Sequence, residues 1–372
     1  MKPRLFSGMQ PTGALHLGNY MGALSNWVRL LDDYDCIFCI VDLHALTIPY
    51  DREQMETNIL NAALDYIAGG LDPERCTIFV QSHVLRHAEL AWVLNTVTPL
   101  GQLMRMTQFK AKTEQINANE MVGQFVTGQE KETTGSDAED VAFDELGQDD
   151  DFGRSEFLAK AGRINAGLLT YPVLQAADIM LYKGEAVPVG EDQVQHVELT
   201  RFITRRFNHR FGPVFPECRA LLSEAARLVG LDGQAKMSKS LGNHIPLMTP
   251  PEEVLRRVTR EAVSDSRRQR RSDPGVPEEC NIHAWHKVFS SEEEIAWSAE
   301  GCRSAGIGCF ECKKRVAENI NARLEPYRAR REELSKRPDD VRDVLAQGAR
   351  RCNDIAEGTM KEVYGALGLY RP

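Results

Sequence analysis

Residues 36–42, Cys-Ile-Phe-Cys-Ile-Val-Asp, form an unbroken apolar run between two helix-patterned stretches, and this constrains the fold more than anything else in the chain. A strand that is apolar at every position, not at alternate ones, must be buried on both faces, which is the condition of a parallel sheet covered by helices on each side. Cys76-Thr77-Ile78-Phe79-Val80 repeats the pattern, and Leu5-Phe6 opens the chain with a shorter version. Between and after these runs, residues of about 18–31, 53–69 and 87–98 carry helical spacing. Strands alternating with helices predict an α/β fold with a doubly wound parallel sheet. Cys36 and Cys39 lie three apart on one of these strands, so they face opposite sides and belong to the core rather than to a shared ligand.

The opening stretch, Leu5 to Tyr20, reads as strand, glycine- and proline-punctuated turn, then helix start near Gly18. In a doubly wound sheet such a turn lies beyond the carboxyl end of the strand, where ligands bind and where free N–H groups of a helix start suit phosphate. Gly13 and Gly18 permit close backbone approach, while His16 and Asn19 offer neutral hydrogen-bonding groups. About 220 residues later stands Lys236-Met237-Ser238-Lys239-Ser240. His16-Leu17-Gly18-Asn19 resembles the HIGH signature of class I aminoacyl-tRNA synthetases, with Asn19 in place of the last His, and residues 236–240 match that class's KMSKS signature. The resemblance implies a Rossmann-like class I catalytic domain.

Residues 115–163 interrupt the alternation with little apolar periodicity and an acidic bias, predicting a flexible surface insertion. Regular structure resumes at Leu168. Tyr171 to Asp178 reads as a helix with Pro172 near its start, Ala186 to Val189 as a short strand, and Gly190 to Gln193 as a turn into a helix ending near Arg206. Beyond the second signature the patterning is helical only, over about 251–265, 291–300, 311–335, 339–349 and 352–367. Two domains follow: a catalytic one over 1–245 and an all-helical one over 246–372.

The net charge of −9 speaks superficially against a nucleic-acid partner. Yet residues 129–151 hold ten acidic residues and one lysine, which accounts for the whole excess. Basic clusters persist at Arg201–Arg210, Arg256–Arg271 and Arg328–Lys336, so net charge decides nothing about an RNA partner. Lys2 and Arg4 lead directly into a strand, unlike a signal peptide. No stretch approaches the roughly 20 apolar residues that span a bilayer. The expected location is cytoplasmic, where nine cysteines serve as ligands or core rather than as disulfides.

Met106-Thr107-Gln108-Phe109-Lys110, Asp42 to Thr47, Tyr171 to Asp178 and Val187 to Arg201 resemble the tryptophanyl-tRNA synthetases, over all of the chain except the acidic insertion. Helical spacing places Tyr171, Gln175 and Asp178 on one face. A carboxylate there can accept the indole N–H, the one hydrogen bond the tryptophan side chain can donate, and a site built on that bond rejects phenylalanine. Gln175 stands where better-known bacterial tryptophan enzymes have Met, and the Tyr-x-x-x-Gln-x-x-Asp face also resembles the tyrosine enzymes, so tyrosine is the alternative substrate. A non-catalytic RNA-binding paralogue is the alternative of a different kind; degraded signatures would mark it, and both are intact.

The resemblance implies activation of L-tryptophan with ATP, then transfer to tRNA(Trp), by a homodimer, with neither DNA nor a membrane as partner. Phe6, Gly8, His44, Gln108, Tyr171, Gln175 and Asp178 would bind the amino acid. Gln10, Pro11, Thr12, the amides at Gly18 and Asn19, Gly190, Glu191 and Asp192 would hold ATP, together with Lys236, Met237, Ser238, Lys239 and Ser240. His16, Gln10, Lys236 and Lys239 carry the catalytic expectation, with Lys110 and Lys112 adding charge near the triphosphate. Asp192 suits the ribose hydroxyls. Gly233 and Gly242 flank the second signature as a loop that closes would require. Mg2+ is expected on the triphosphate.

Cys280, Cys302, Cys309 and Cys312 follow a C-x21-C-x6-C-x2-C spacing. Four thiolates in one region can hold zinc or an iron–sulfur cluster, or stay free. Residues 270–275 and 308–314 resemble a branch of the tryptophan enzymes that carries a [4Fe–4S] cluster near the anticodon-binding region, a branch that also tends to have Gln at the position of Gln175. In that role the group would staple helices, with Lys313 and Lys314 placed for phosphate.

Overall fold

The computed structural model describes residues 2–107, 165–222, 228–239 and 241–370. The expected acidic insertion, Gln108, Lys110, Lys112 and Ser240 lie outside them. In chain order the elements are β1 (Arg4–Met9) and a helical run α1 over residues 17–30, which contains a π segment at Tyr20–Leu24. Then come β2 (Asp35–Ile40), the one-turn α2 (Asp42–Ala45), α3 (Met55–Ala68), β3 (Thr77–Val80), α4 (Arg86–Asn95) and α5 (Leu100–Met104). After 164 follow α6 (Ala166–Leu181), β4 (Ala186–Val189), α7 (Val194–Phe211) and β5 (Arg219–Leu222). The chain closes with α8 (Pro251–Arg260), α9 (Asn281–Phe289), α10 (Glu292–Arg303), α11 (Cys309–Ser335) and α12 (Pro338–Leu367).

The five strands pair in parallel in the order β3-β2-β1-β4-β5. The order turns outward on both sides of β1, so β1 and β4 diverge in their onward connections and leave a crevice beyond their carboxyl ends. Burial on both faces, expected from the apolar runs, is seen at Cys36 to Ile40, all fully buried. Leu5, Cys36, Phe38 and Ile40 pack with α1, α3 and α11 on one face. Phe6, Ile37 and Cys39 pack with α4, α6, α7 and α12 on the other. Cys36 and Cys39 are therefore core residues of opposite layers.

Four differences from the sequence reading have local causes. Pro172 sits inside α6, not near its start, because Asn165 caps the helix seven residues earlier by accepting the Leu168 N–H at 2.8 Å. The expected helices at 339–349 and 352–367 are one helix of 30 residues. Helix α9 was not expected; its buried face is Ile282, Trp285 and His286, with the Trp285 indole donating to the Val229 carbonyl at 2.9 Å. The edge strand β5 was not expected either, since its residues alternate weakly.

The named elements after residue 246 are all helices among the described residues, joined by loops, but α12 packs across β3 and contributes Ala349, Cys352, Ala356, Met360 and Val363 to the core that Phe6 and Ile37 share. The approach is close enough that a Cβ at Gly348 would lie 2.0 Å from the Ile78 carbonyl oxygen, so only glycine fits there.

Candidate active site

A cleft of about 800 Å³ opens above the carboxyl ends of β1 and β4. It brings together most residues singled out from the sequence: the β1 end, the turn after it, α6, the β4 end and the second signature.

On the nucleotide side, His16 is the N-cap of α1. Its Nδ1 accepts the Gly18 N–H at 3.1 Å, and the Asn19 side-chain oxygen accepts the His16 N–H at 3.2 Å. The Asn19 N–H points to the His16 carbonyl at 2.9 Å. Both amides expected to hold ATP are thus used inside the turn: the imidazole takes the donor that a helix start otherwise leaves open. Gly18 and Asn19 still line the cleft, as do Gln10 and Thr12. Burial lowers the His16 pKa to about 4, with His244, Lys239 and Lys236 adding to the effect. With Nδ1 accepting, the neutral ring carries its proton on Nε2 and is a donor there. Gly13, at φ +102°, holds a backbone shape that other residues resist.

The second signature clasps this turn. Leu17 N–H donates to the Ile245 carbonyl at 3.0 Å, and Leu247 N–H to the Leu15 carbonyl at 2.9 Å. Lys239 Nζ donates to the Thr12 carbonyl at 3.2 Å, and burial lowers its pKa against the opposing charge of Asp65. Met237 is buried and anchors the loop, whereas Lys236 is exposed at the cleft. Asn243 organises the turn: its oxygen accepts the Ser238 N–H at 2.8 Å and its amide donates to Asp232 at 2.8 Å. Gly233 and Gly242 both have positive φ, at +68° and +65°.

On the amino-acid side, Phe6, Gly8, His44, Tyr171, Gln175 and Asp178 all line the same cleft. Asp178 is 1% exposed. Its Oδ1 accepts from Gln81 at 2.7 Å and pairs with His87 Nδ1 at 2.6 Å; its Oδ2 pairs with His44 Nε2 at 2.8 Å. Burial pushes this carboxyl up, but the His44 and His87 contacts outweigh it and hold the group well below the usual carboxylate range. Oδ2 has one partner, which leaves one acceptor position. Tyr171 OH lies 2.9 Å from His196 Nε2.

Gly190 and Asp192 line the cleft; Glu191 and Pro11 do not. Asp192 is exposed, its Oδ2 accepting only from its neighbour Gln193 at 3.1 Å.

Gln81, His87, His196 and Asn243 were missed by the sequence reading. Gln81 had the one available signal, a polar residue directly following a buried strand, at the end where ligands bind.

The four cysteines of the helical region lie within electrostatic reach of Cys312. Cys312 is pushed up to about 12 by burial and then by the proximity of Cys280, Cys302 and Cys309. Arg268 Nη1 stands 3.8 Å from Cys302 Sγ, and His286 Nε2 3.4 Å from Cys312 Sγ. Among the described residues, no three His, Cys, Asp or Glu side chains are grouped tightly enough to hold a single metal ion.

A family model described as tRNA synthetases class I (W and Y) matches residues 1–126 and 148–325. The chain is 42% identical over 373 residues to the tryptophan–tRNA ligase of Deinococcus radiodurans, with 99% of each covered. It is 39% identical to that of Thermotoga maritima, covering 98% of this chain and 99% of the relative. A tryptophanyl-tRNA synthetase structure from Campylobacter jejuni, complexed with ADP and tryptophan, matches with a TM-score of 0.77 at 31% identity, covering 98% of this chain and 100% of that one. A tyrosyl-tRNA synthetase from Archaeoglobus fulgidus shares the fold at a TM-score of 0.60 and 22% identity, covering 89% and 90%.

Proposed function

The chain belongs to the class I tRNA synthetases of the tryptophan and tyrosine group, and from that membership and its cleft we infer that it is a tryptophan–tRNA ligase. The observation that carries the reading is Asp178, a buried carboxylate with one acceptor position left over, on the cleft it shares with Tyr171, Gln175 and the nucleotide turn. The tyrosine alternative is answered by the relatives at 39–42% identity, all tryptophan enzymes.

In this reading the indole N–H binds Asp178 Oδ2, and Tyr171, Gln175, Phe6, Gly8 and His44 shape the pocket. The tryptophan carboxylate oxygen bonds to the α-phosphorus of ATP. The bond to the bridging oxygen breaks, and its electron pair leaves with pyrophosphate. A terminal ribose hydroxyl of tRNA(Trp) then attacks the acyl carbon and AMP departs. No enzyme nucleophile takes part, so the protein contributes position and charge. His16 Nε2–H, Gln10 and the Asn19 side-chain amide are donors for ATP, Asp192 accepts from the ribose, and Lys236 and Lys239 neutralise the leaving pyrophosphate. Mg2+ is carried mainly by the phosphates and water, since Asp192 and the already engaged Asp178 are the cleft's only carboxylates among the described residues.

The four thiols are proposed to hold a [4Fe–4S] cluster, on the likeness of residues 270–275 and 308–314 to the cluster-bearing branch, with zinc as the alternative. Arg268 Nη1, 3.8 Å from Cys302 Sγ, suits an anionic group there. Bound there, the cluster would cross-link α9, α10 and α11.

The chain works as a homodimer in this proposal, and Leu85 at the N-cap of α4 and Trp92 on that helix, 78% and 73% exposed, are apolar side chains available to it. Trp92→Lys is expected to shift the species in solution from dimer to monomer in light scattering. No helix among the described residues is long and apolar enough to cross a membrane, and a cytoplasmic location is part of the same proposal.

Tryptophan-dependent exchange of labelled pyrophosphate into ATP tests the activity. Exchange with tryptophan and not with tyrosine is expected. Exchange with tyrosine alone would restore the alternative substrate, and none with either would leave only the RNA-binding paralogue.

A further inference from the structure

Asp65 on α3 is 3% exposed, carries a charge that no step of the reaction uses, and lies where three parts of the fold meet. Its Oδ1 accepts from Tyr327 OH and from Arg331 Nε, both at 2.7 Å and both on α11. Its Oδ2 accepts from the Leu15 N–H at 3.3 Å, the amide immediately before His16. Arg331 is fixed by a second bond, from Nη2 to Asn61 Oδ1 at 2.7 Å on the same α3. Tyr327 also packs against Tyr20, with ring centroids 6.1 Å apart.

The neighbouring residue, Tyr66, reaches the same turn from below. Its hydroxyl accepts the Met9 N–H at 3.0 Å and donates to the Cys39 carbonyl at 3.3 Å. The negative charge of Asp65 also acts on Lys239, opposing the fall in its pKa. So the nucleotide turn is held by backbone bonds to residues 245–247 on one side and by Asp65 on the other. The second of these ties leads out of the cleft by side-chain bonds to a single carboxylate.

It leads to α11, a continuous helix of 27 residues whose first turn carries Cys309 and Cys312. Nineteen residues separate Cys312 from Arg331, about 28 Å of helix. Asp65 joins that helix to Leu15 by direct hydrogen bonds, beside the packing of Tyr327 on Tyr20. We propose that Asp65 is a positioning residue for ATP, tying the nucleotide turn at Leu15 to helix α11 so that the thiol-bearing region and the nucleotide site move as one body. The proposal rests on the synthetase reading of the cleft.

Asp65→Asn tests it while keeping the shape. The amide has one oxygen, so its NH2 must face either the donors of α11 or the donor of Leu15, and one half of the tie is lost. In tryptophan-dependent pyrophosphate exchange, the KM for ATP is expected to rise about tenfold, while the KM for tryptophan, set on the far side of the cleft, changes by less than about twofold. Faster hydrogen exchange at the Leu15 amide accompanies the loss. Arg331→Met, which keeps the packing stem, is expected to shift the ATP constant in the same direction, and a double variant should show less than the sum of the two effects. An unchanged ATP constant in folded Asp65→Asn, or equal changes in both constants, would overturn the proposal. If that variant does not fold, Arg331→Met decides by the same criterion. Absence of exchange by the unaltered protein would instead fail the functional reading.

Discussion

His87 joins Asp178 through Nδ1 at 2.6 Å and Tyr182 OH through Nε2 at 2.7 Å, so the carboxylate proposed to read tryptophan is held from behind by a ring that is itself held. All three residues are buried.

Removing the middle member leaves Asp178 with Gln81 and His44. His87→Ala is expected to lower kcat/KM for tryptophan between about tenfold and a hundredfold, the cost of one lost bond to a buried charge. The KM for ATP should stay unchanged. Steady-state exchange kinetics with each substrate varied in turn will show it; a loss in the ATP constant instead would mean that His87 supports the sheet, not the pocket.

Lys239 is already directed at the nucleotide turn through its bond to Thr12. Its charge is needed most when pyrophosphate leaves. Lys239→Ala should therefore lower kcat by about 10²-fold or more with a small change in KM. Pre-steady-state formation of the adenylate is the measurement. A rise in KM alone would contradict it.

The depressed pKa of His16 gives a signed pH dependence. The folded ring titrates near 4 and the unfolded one near 6.5. Between those values the unfolded chain binds more protons, so this group makes stability rise with pH from about 4 to 6.5 and is neutral above that. The His16 ring resonance should stay flat in an NMR titration from about pH 5 to 8. His16→Asn should flatten that part of the stability curve.

Anaerobic purification followed by iron, zinc and sulfide analysis tests the thiol site. About four irons and four sulfides per chain with visible absorption are expected, both lost in Cys309→Ser. One zinc and no colour would replace the cluster with an ion, and neither metal would leave the cysteines as packing residues.

The parallel sheet and both cleft signatures were legible because their signals are local. Six apolar residues in a row at 36–41 permit little but a doubly covered strand, and glycine at 13 marks a turn no other residue accepts readily. What escaped depends on residues far apart in the chain. Gln81 and His87 converge on Asp178 from separate segments, joining the expected His44, and only the polar position of Gln81 after a buried strand hints at it. The use of the Gly18 and Asn19 amides was misjudged for the opposite reason: a helix start looks open in sequence, and only the rotamer of His16 closes it. The single helix over 338–367 was divided at residues 350–351, yet Gly348 just before them lies inside the helix, in contact with β3.

That contact has a consequence for the order in which the chain is made. The first strand is the fourth residue onward, yet the edge of the sheet at Ile78 and Phe79 is covered by a helix that begins at Pro338. A nascent chain emerging from the ribosome can pair β1 with β2 and β3, but until α12 is out that edge stays open to any other extended chain. Synthesis thus leaves this edge of the catalytic layer uncovered until α12 has emerged. An mRNA truncated before codon 338 would yield a product with both signatures present and a sheet still exposed, a natural substrate for chaperones and proteases.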